Sequence, residues 1–97
     1  MKYAVKYPTG NCQKRVEKVL AQVSPDTCQK ILDIFEELAV QPRPMGISKI
    51  KPPLEVGRFL CQYRIRIGDL RLLYDIDDKS KTVWIVALRK RNEDTYK

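Results

Sequence analysis

Apolar and polar residues alternate on both sides of Gly68-Asp69 in the segment from Gln62 to Tyr74. A period of two is the pattern of a half-buried strand, and a two-residue loop opening with glycine joins such strands into a hairpin. The loop fixes a register. Ile67 faces Leu70, Ile65 faces Leu72 and Tyr63 faces Tyr74 on one side of the sheet, which sets Arg66 opposite Arg71 on the other, with Arg64 beside them. Like charges directly opposite across a strand pair are destabilising, so three arginines spent this way point to an anionic ligand.

The remaining periodicities complete the element list. Lys2 to Tyr7 alternates as a first strand, with Tyr3, Val5 and Tyr7 on one face, and Pro8-Thr9-Gly10 ends it. From about Asn11 to Val23 the apolar positions Cys12, Val16, Val19, Leu20 and Val23 recur at helical spacing, with Lys14, Arg15 and Lys18 on the other side. Ser24-Pro25 is a helix start, a capping hydroxyl before a proline at the first helical position. This second helix runs to about Val40 with Cys28, Ile31, Leu32, Phe35, Leu38 and Ala39 as its buried stripe, and Gln41-Pro42-Arg43-Pro44 stops it. A short strand carrying Lys49 and Lys51 is expected from Ile47 to Lys51, then a Pro-Pro loop reaching Gly57. Strands at 58–67 and 70–76 form the arginine hairpin, Asp77-Asp78-Lys79-Ser80 turns, and Thr82 to Leu88 is a last strand before a tail that begins at Arg89. Phe59, Tyr74 and Trp84 are assigned to core packing.

The order strand, helix, helix, then consecutive strands predicts one α+β domain over residues 1–97, a two-helix hairpin on one face of a mainly antiparallel sheet and a basic groove on the other. Ninety-seven residues suffice for one such core and not for two.

Charge sharpens the picture. The formal net charge is +7, but residues 1–42 carry six basic and five acidic side chains, a balance of +1, whereas residues 43–97 carry thirteen and seven, a balance of +6. The excess lies with the strands and suits a phosphate-bearing partner or an acidic protein. There is no histidine, which removes the usual zinc sites, the serine and cysteine triads and paired-histidine acid/base chemistry. Glu36 and Glu37 have no paired-carboxylate metal spacing, so neither a metal nor another cofactor is expected. Three cysteines, odd in number and far apart, read as reduced core thiols. With no run of about 18 apolar residues and no secretory leader pattern, the expectation is a cytoplasmic protein without a membrane partner.

The run Tyr63-Arg64-Ile65-Arg66-Ile67-Gly68-Asp69-Leu70-Arg71-Leu72-Leu73-Tyr74, the Gln-Pro-Arg-Pro after the second helix, the Asp77-Asp78 turn and the closing Arg91 to Tyr96 resemble the RelE/ParE superfamily of toxins from toxin–antitoxin pairs, over nearly the whole chain. For RelE-like members the resemblance implies an endoribonuclease that cleaves messenger RNA in the ribosomal A site, by attack of a 2′-hydroxyl on the adjacent phosphate. It implies a cognate antitoxin that wraps the domain in a heteromeric complex. By position, Arg64, Arg66, Arg71, Arg91 and Tyr96 match the family's catalytic set, and Lys49, Lys51, Arg89 and Lys90 are candidate RNA contacts. Where some members carry lysines on the third strand, this chain has Arg64 and Arg66, which stabilise charge but do not readily give up a proton to become a base. Four residues separate Arg91 from Tyr96 where many relatives have three.

Two other functions fit the same resemblance. One is a ParE-like, non-enzymatic inhibitor of DNA gyrase, and the other a catalytically weakened member that only binds its antitoxin.

Overall fold

The computed structural model describes residues 2–44 and 48–90, with the backbone alone at Ser48 and Lys51. Seven elements follow one another: β1 (Ala4–Lys6), α1 (Gly10–Leu20), α2 (Pro25–Val40), β2 (Ser48–Val56), β3 (Phe59–Ile67), β4 (Leu70–Asp77) and β5 (Thr82–Lys90). The five strands form one sheet in the order β1-β5-β4-β3-β2, antiparallel except where β1 joins β5 in parallel.

Both helices begin at capping side chains. The Thr9 hydroxyl accepts from the Cys12 N–H and that of Ser24 from the Thr27 N–H, at 3.2 Å each, so Thr9, expected only to end the strand, starts the helix. Pro25 occupies the first turn of α2, where the missing N–H costs nothing. Ile31 and Leu38 of α2 are fully buried, but Leu32 is 41% exposed and Ile34 packs inward in its place. The apolar stripe therefore runs 31, 34/35, 38, closer to the 3.6-residue period than one including Leu32.

The hairpin register is the one read from the sequence: Ile67 pairs with Leu70, Arg66 with Arg71, Ile65 with Leu72 and Tyr63 with Tyr74. Gly68 opens its two-residue loop at φ +58°, and Gly57 opens the β2–β3 loop at φ +63°, a conformation that residues with a Cβ rarely adopt. Two expectations are corrected. Pro52-Pro53 lie within β2, not in a loop; the pairing shifts between Lys49 and Leu54, and this irregularity on an edge strand accommodates residues that cannot donate to a ladder. Arg89 and Lys90 belong to β5 rather than to a tail, because Leu70 and Arg71 supply their ladder partners.

The main core joins Val16, Ile31 and Leu38 of the helices to Ile67, Leu70, Leu72, Tyr74, Ile76, Val83, Ile85 and Leu88 of the sheet. A second cluster gathers Val56, Cys61, Leu73, Val86 and Ala87, with Ile50 and Phe59 packed against it. Since Leu73 alternates with Leu72 and Tyr74, it points away from the helices; part of the face expected to be open is apolar and covered.

A polar latch fastens the end of α2 to the sheet. Arg43 grips Asp78 through both carboxylate oxygens at 3.2 and 2.9 Å, and its Nε donates to the Tyr63 hydroxyl at 3.2 Å. The Tyr3 hydroxyl donates to the same carboxylate at 2.6 Å. Tyr63 stacks on Tyr74, with centroids 5.7 Å apart, and the buried Tyr74 hydroxyl donates to the Pro42 carbonyl at 3.1 Å. The Arg43 and Tyr3 hydrogen bonds hold Asp78 below the usual carboxylate range, while burial raises Tyr74 above the ordinary phenol.

Candidate functional site

Strand register alone assembles the basic site. Arg66 of β3 pairs with Arg71 of β4, and Arg71 pairs on its other side with Arg89 of β5. Because partners in register share a face, three guanidinium side chains rise side by side across three adjacent strands, each about 4.7–4.9 Å from the next. Leu70, Leu72 and Tyr74 all belong to the helix-side core. Alternation therefore directs this row to the opposite face.

Arg64 sits two residues from Arg66 on the same face, opposite Leu73. Its Nε is buried and has no hydrogen-bond partner among the described residues. A buried donor left in that state costs free energy until an acceptor reaches it. Arg66 is exposed, and Arg71 and Arg89 are half-buried. The row is thus anchored by its stems and open at one end.

The other sequence-expected residues fall differently. Lys49 pairs with Tyr63, so it shares the helix-side face and lies apart from the row. Lys90 pairs with Leu70 and also belongs to the helix side, at the rim of a hollow with Lys30 and Asp69. Lys51 lies on β2. Arg91 and Tyr96 lie outside the described residues. Arg89, expected as an RNA contact from the tail, is by its ladder with Arg71 the third member of the row.

A cleft of about 690 Å³ opens between α1 and the β2–β3 loop, with Arg15, Lys18, Arg58 and Arg89 at its margin and Cys12 and Val86 among the apolar groups below. Burial pushes the Cys61 thiol up to about 12, which keeps it an inert core group. Among the described residues no cluster of three or more His, Cys, Asp or Glu side chains is placed to hold a metal ion. None of their helices is long and apolar enough to cross a membrane. What the arginine row offers chemically is a set of fixed, permanently charged donors matched to phosphate oxygens.

The fold has close counterparts among solved structures. The chain is similar to the archaeal RelE of the RelE–RelB complex from Pyrococcus horikoshii, with 28% identity and a TM-score of 0.72 over 94% of this chain and 97% of that one. Its fold is also shared by the toxin–antitoxin complex RelBE2 from Mycobacterium tuberculosis, at 24% identity and TM-score 0.63 over 94% and 100% of the two chains. A mutant of the E. coli toxin RelE in the free state gives 16% identity and TM-score 0.63 over 96% and 87%. No curated protein matches the sequence. The family model described as the ParE toxin of the type II toxin–antitoxin system, parDE, matches residues 13–95. With that match spanning most of its length, the chain belongs to the ParE toxin family, and so to the RelE/ParE superfamily of type II toxins.

Proposed function

We propose that this toxin is a metal-independent endoribonuclease of the RelE kind, acting on messenger RNA in the cytoplasm, at the ribosome, and held silent by a cognate antitoxin. The observation that carries the reading is the row Arg66–Arg71–Arg89 with Arg64 beside it, four guanidinium groups on the sheet face opposite the main core, Arg89 at the cleft beside α1. In the proposed reaction the 2′-hydroxyl oxygen bonds to the adjacent phosphorus and the bond to the 5′-oxygen breaks. The products are a 2′,3′-cyclic phosphate and a free 5′-hydroxyl, which takes up a proton as the attacking hydroxyl loses one. Negative charge builds on the non-bridging oxygens, and fixed donors there stabilise it. Arg64 and Arg71 hold the phosphate, while Arg66 and Arg89 extend the charge along the strand. Arg91 and Tyr96 complete the set, the tyrosine by stacking on a base. The arginines serve as charge stabilisers and not as the base, since a guanidinium stays protonated.

The assay is purified toxin with messenger RNA, free and on programmed ribosomes, with new 5′ ends mapped by primer extension. Cuts that fall by about 10²–10³ in rate in Arg71→Ala support the assignment. Intact RNA in both settings overturns it.

A second reading rests on the family match itself, which is to the ParE toxin. In it the chain binds DNA gyrase and the arginine face contacts protein. Inhibition of gyrase supercoiling by the pure toxin, with RNA left intact, selects that reading.

A further inference from the structure

Trp84 was assigned to the core by its apolar neighbours, yet it is only half-buried and lines a surface pocket of about 430 Å³. Phe59, Leu60 and Val86 form the apolar wall with it, and Arg58 and Asp75 bring a donor and an acceptor. Leu60 is 51% exposed at the margin. Trp84 pairs with Asp75 across the β4–β5 ladder, and Asp75 is on the same face of β4 as Arg71, four residues away. Pocket and arginine row therefore share one sheet face, about 13 Å apart along a single strand. Lys6, the β1 partner of Trp84, adds a cation on that face.

We infer that this pocket is a guanine-recognition site, which sets the base preference of the toxin upstream or downstream of the cut. The inference rests on the endoribonuclease reading above. An aromatic wall beside a basic track is the arrangement that captures splayed bases of single-stranded RNA, the ring stacking and the polar groups reading the Watson–Crick edge. Asp75 decides which base. Its Oδ1 accepts from the Gln62 amide at 3.1 Å, which orients the carboxylate. Two carboxylate oxygens match the adjacent N1–H and N2–H donors of guanine; adenine offers an acceptor at N1, and uracil places its one N–H between two carbonyls. Arg58 supplies a donor for the guanine O6 or a flanking phosphate. An aliphatic side chain would fill the apolar wall but offer nothing to the Arg58 donor or the second Asp75 oxygen, whereas the edge of a base meets both, so the base is the better occupant.

Trp84 is the chain's single tryptophan, so its emission reports on the pocket directly. The test titrates full-length toxin with 2′-O-methyl pentanucleotides of sequence UUGUU and UUAUU, which lack the attacking hydroxyl. Binding is followed by Trp84 emission and, separately, by the anisotropy of end-labelled strands. The expected result is saturable quenching with UUGUU at least about tenfold tighter than UUAUU, a preference lost in Asp75→Asn while overall RNA binding persists. Binding by anisotropy with unchanged Trp84 emission, or equal affinity for the two strands, overturns the guanine site alone and leaves the pocket to a partner's side chain. Absence of RNA binding in both readouts overturns the guanine site, whereas the ribonuclease reading stands or falls separately on the primer-extension assay with programmed ribosomes.

Discussion

Arg66→Gln should make the protein more stable, because the arginine row opposes folding. Arg66 is exposed and lies directly opposite Arg71. If the two charges splay to about 7 Å in a water-like dielectric, Coulomb's law gives a repulsion of about 0.6 kcal/mol. That lies within the ~0.2–1 kcal/mol typical of a cross-strand pair. For a domain of this size it corresponds to a rise in Tm of about 2–5 °C. The measurement is thermal unfolding followed by circular dichroism at low ionic strength, repeated in 1 M salt, where the Debye length shrinks to about 3 Å and the gain should largely vanish. In combination with Arg71→Gln the gains should fall short of additive by about the same 0.6 kcal/mol, since each single substitution already removes the shared repulsion. A lower Tm for Arg66→Gln at low salt, or a gain that persists undiminished in 1 M salt, refutes the idea that the row is maintained against its own electrostatics.

Other consequences are as concrete. Ile31→Ala should cost about 2–5 kcal/mol in urea denaturation, whereas Leu32→Ala, on the exposed side of the same turn, should stay within about 0.5 kcal/mol. Tyr74→Phe strands the Pro42 carbonyl and should cost about 0.5–1.5 kcal/mol by the same assay. Asp78 titrates below its unfolded value because Arg43 and Tyr3 donate to it, so its contribution is present above the ordinary carboxylate pKa of about 4 and is lost as pH falls through the depressed folded value. Wild type and Asp78→Asn should therefore differ in Tm at pH 7 and converge as the pH falls below the ordinary carboxylate range; a constant gap would count against the latch. With a disulfide thiol reagent at pH 8, half-buried Cys28 should react first, and Cys61, fully buried with its thiol pushed up to about 12, only on unfolding.

The hairpin was legible from sequence because two constraints agreed: the period of two on each arm and a glycine at the loop position requiring positive φ. The start of α2 was legible for the same reason, Ser24 and Pro25 both naming one residue as the boundary. Where a single local cue stood alone, tertiary context overrode it. Pro52-Pro53 reads locally as a loop, yet β3 offers a ladder on which a register shift absorbs both prolines. Arg89-Lys90 reads as the start of a tail after the last apolar strand residue, yet the length of β4 extends its partner strand to them. The Arg43–Asp78 latch left no trace in any periodicity, because its partners are 35 residues apart and meet only once α2 and the β4–β5 turn are docked. Trp84, an aromatic among apolar neighbours on a strand, reads as core, and only the fold reveals that its face is partly open.

The division of the sheet explains how a chain this small holds charge in place. The helix-side core, with Tyr74, Leu72 and Ile85 essentially buried, supplies most of the stabilising apolar area and leaves the other face available for function. That second face is not uniformly polar. Leu73, Val86 and Ala87 are buried within it, and Leu73 stands directly across from Arg64 while sharing β4 with Arg71. A packed apolar plug between the arginine row and the Trp84 pocket limits how far the long guanidinium stems can reorient. Restricted side chains lose less freedom when they meet a phosphate, and donors fixed before the charge develops are the ones that stabilise it most. If the row is the phosphate site proposed above, shrinking the plug, as in Leu73→Ala, should loosen Arg64 and Arg71 and lower the cleavage rate beyond what the loss of global stability alone would produce.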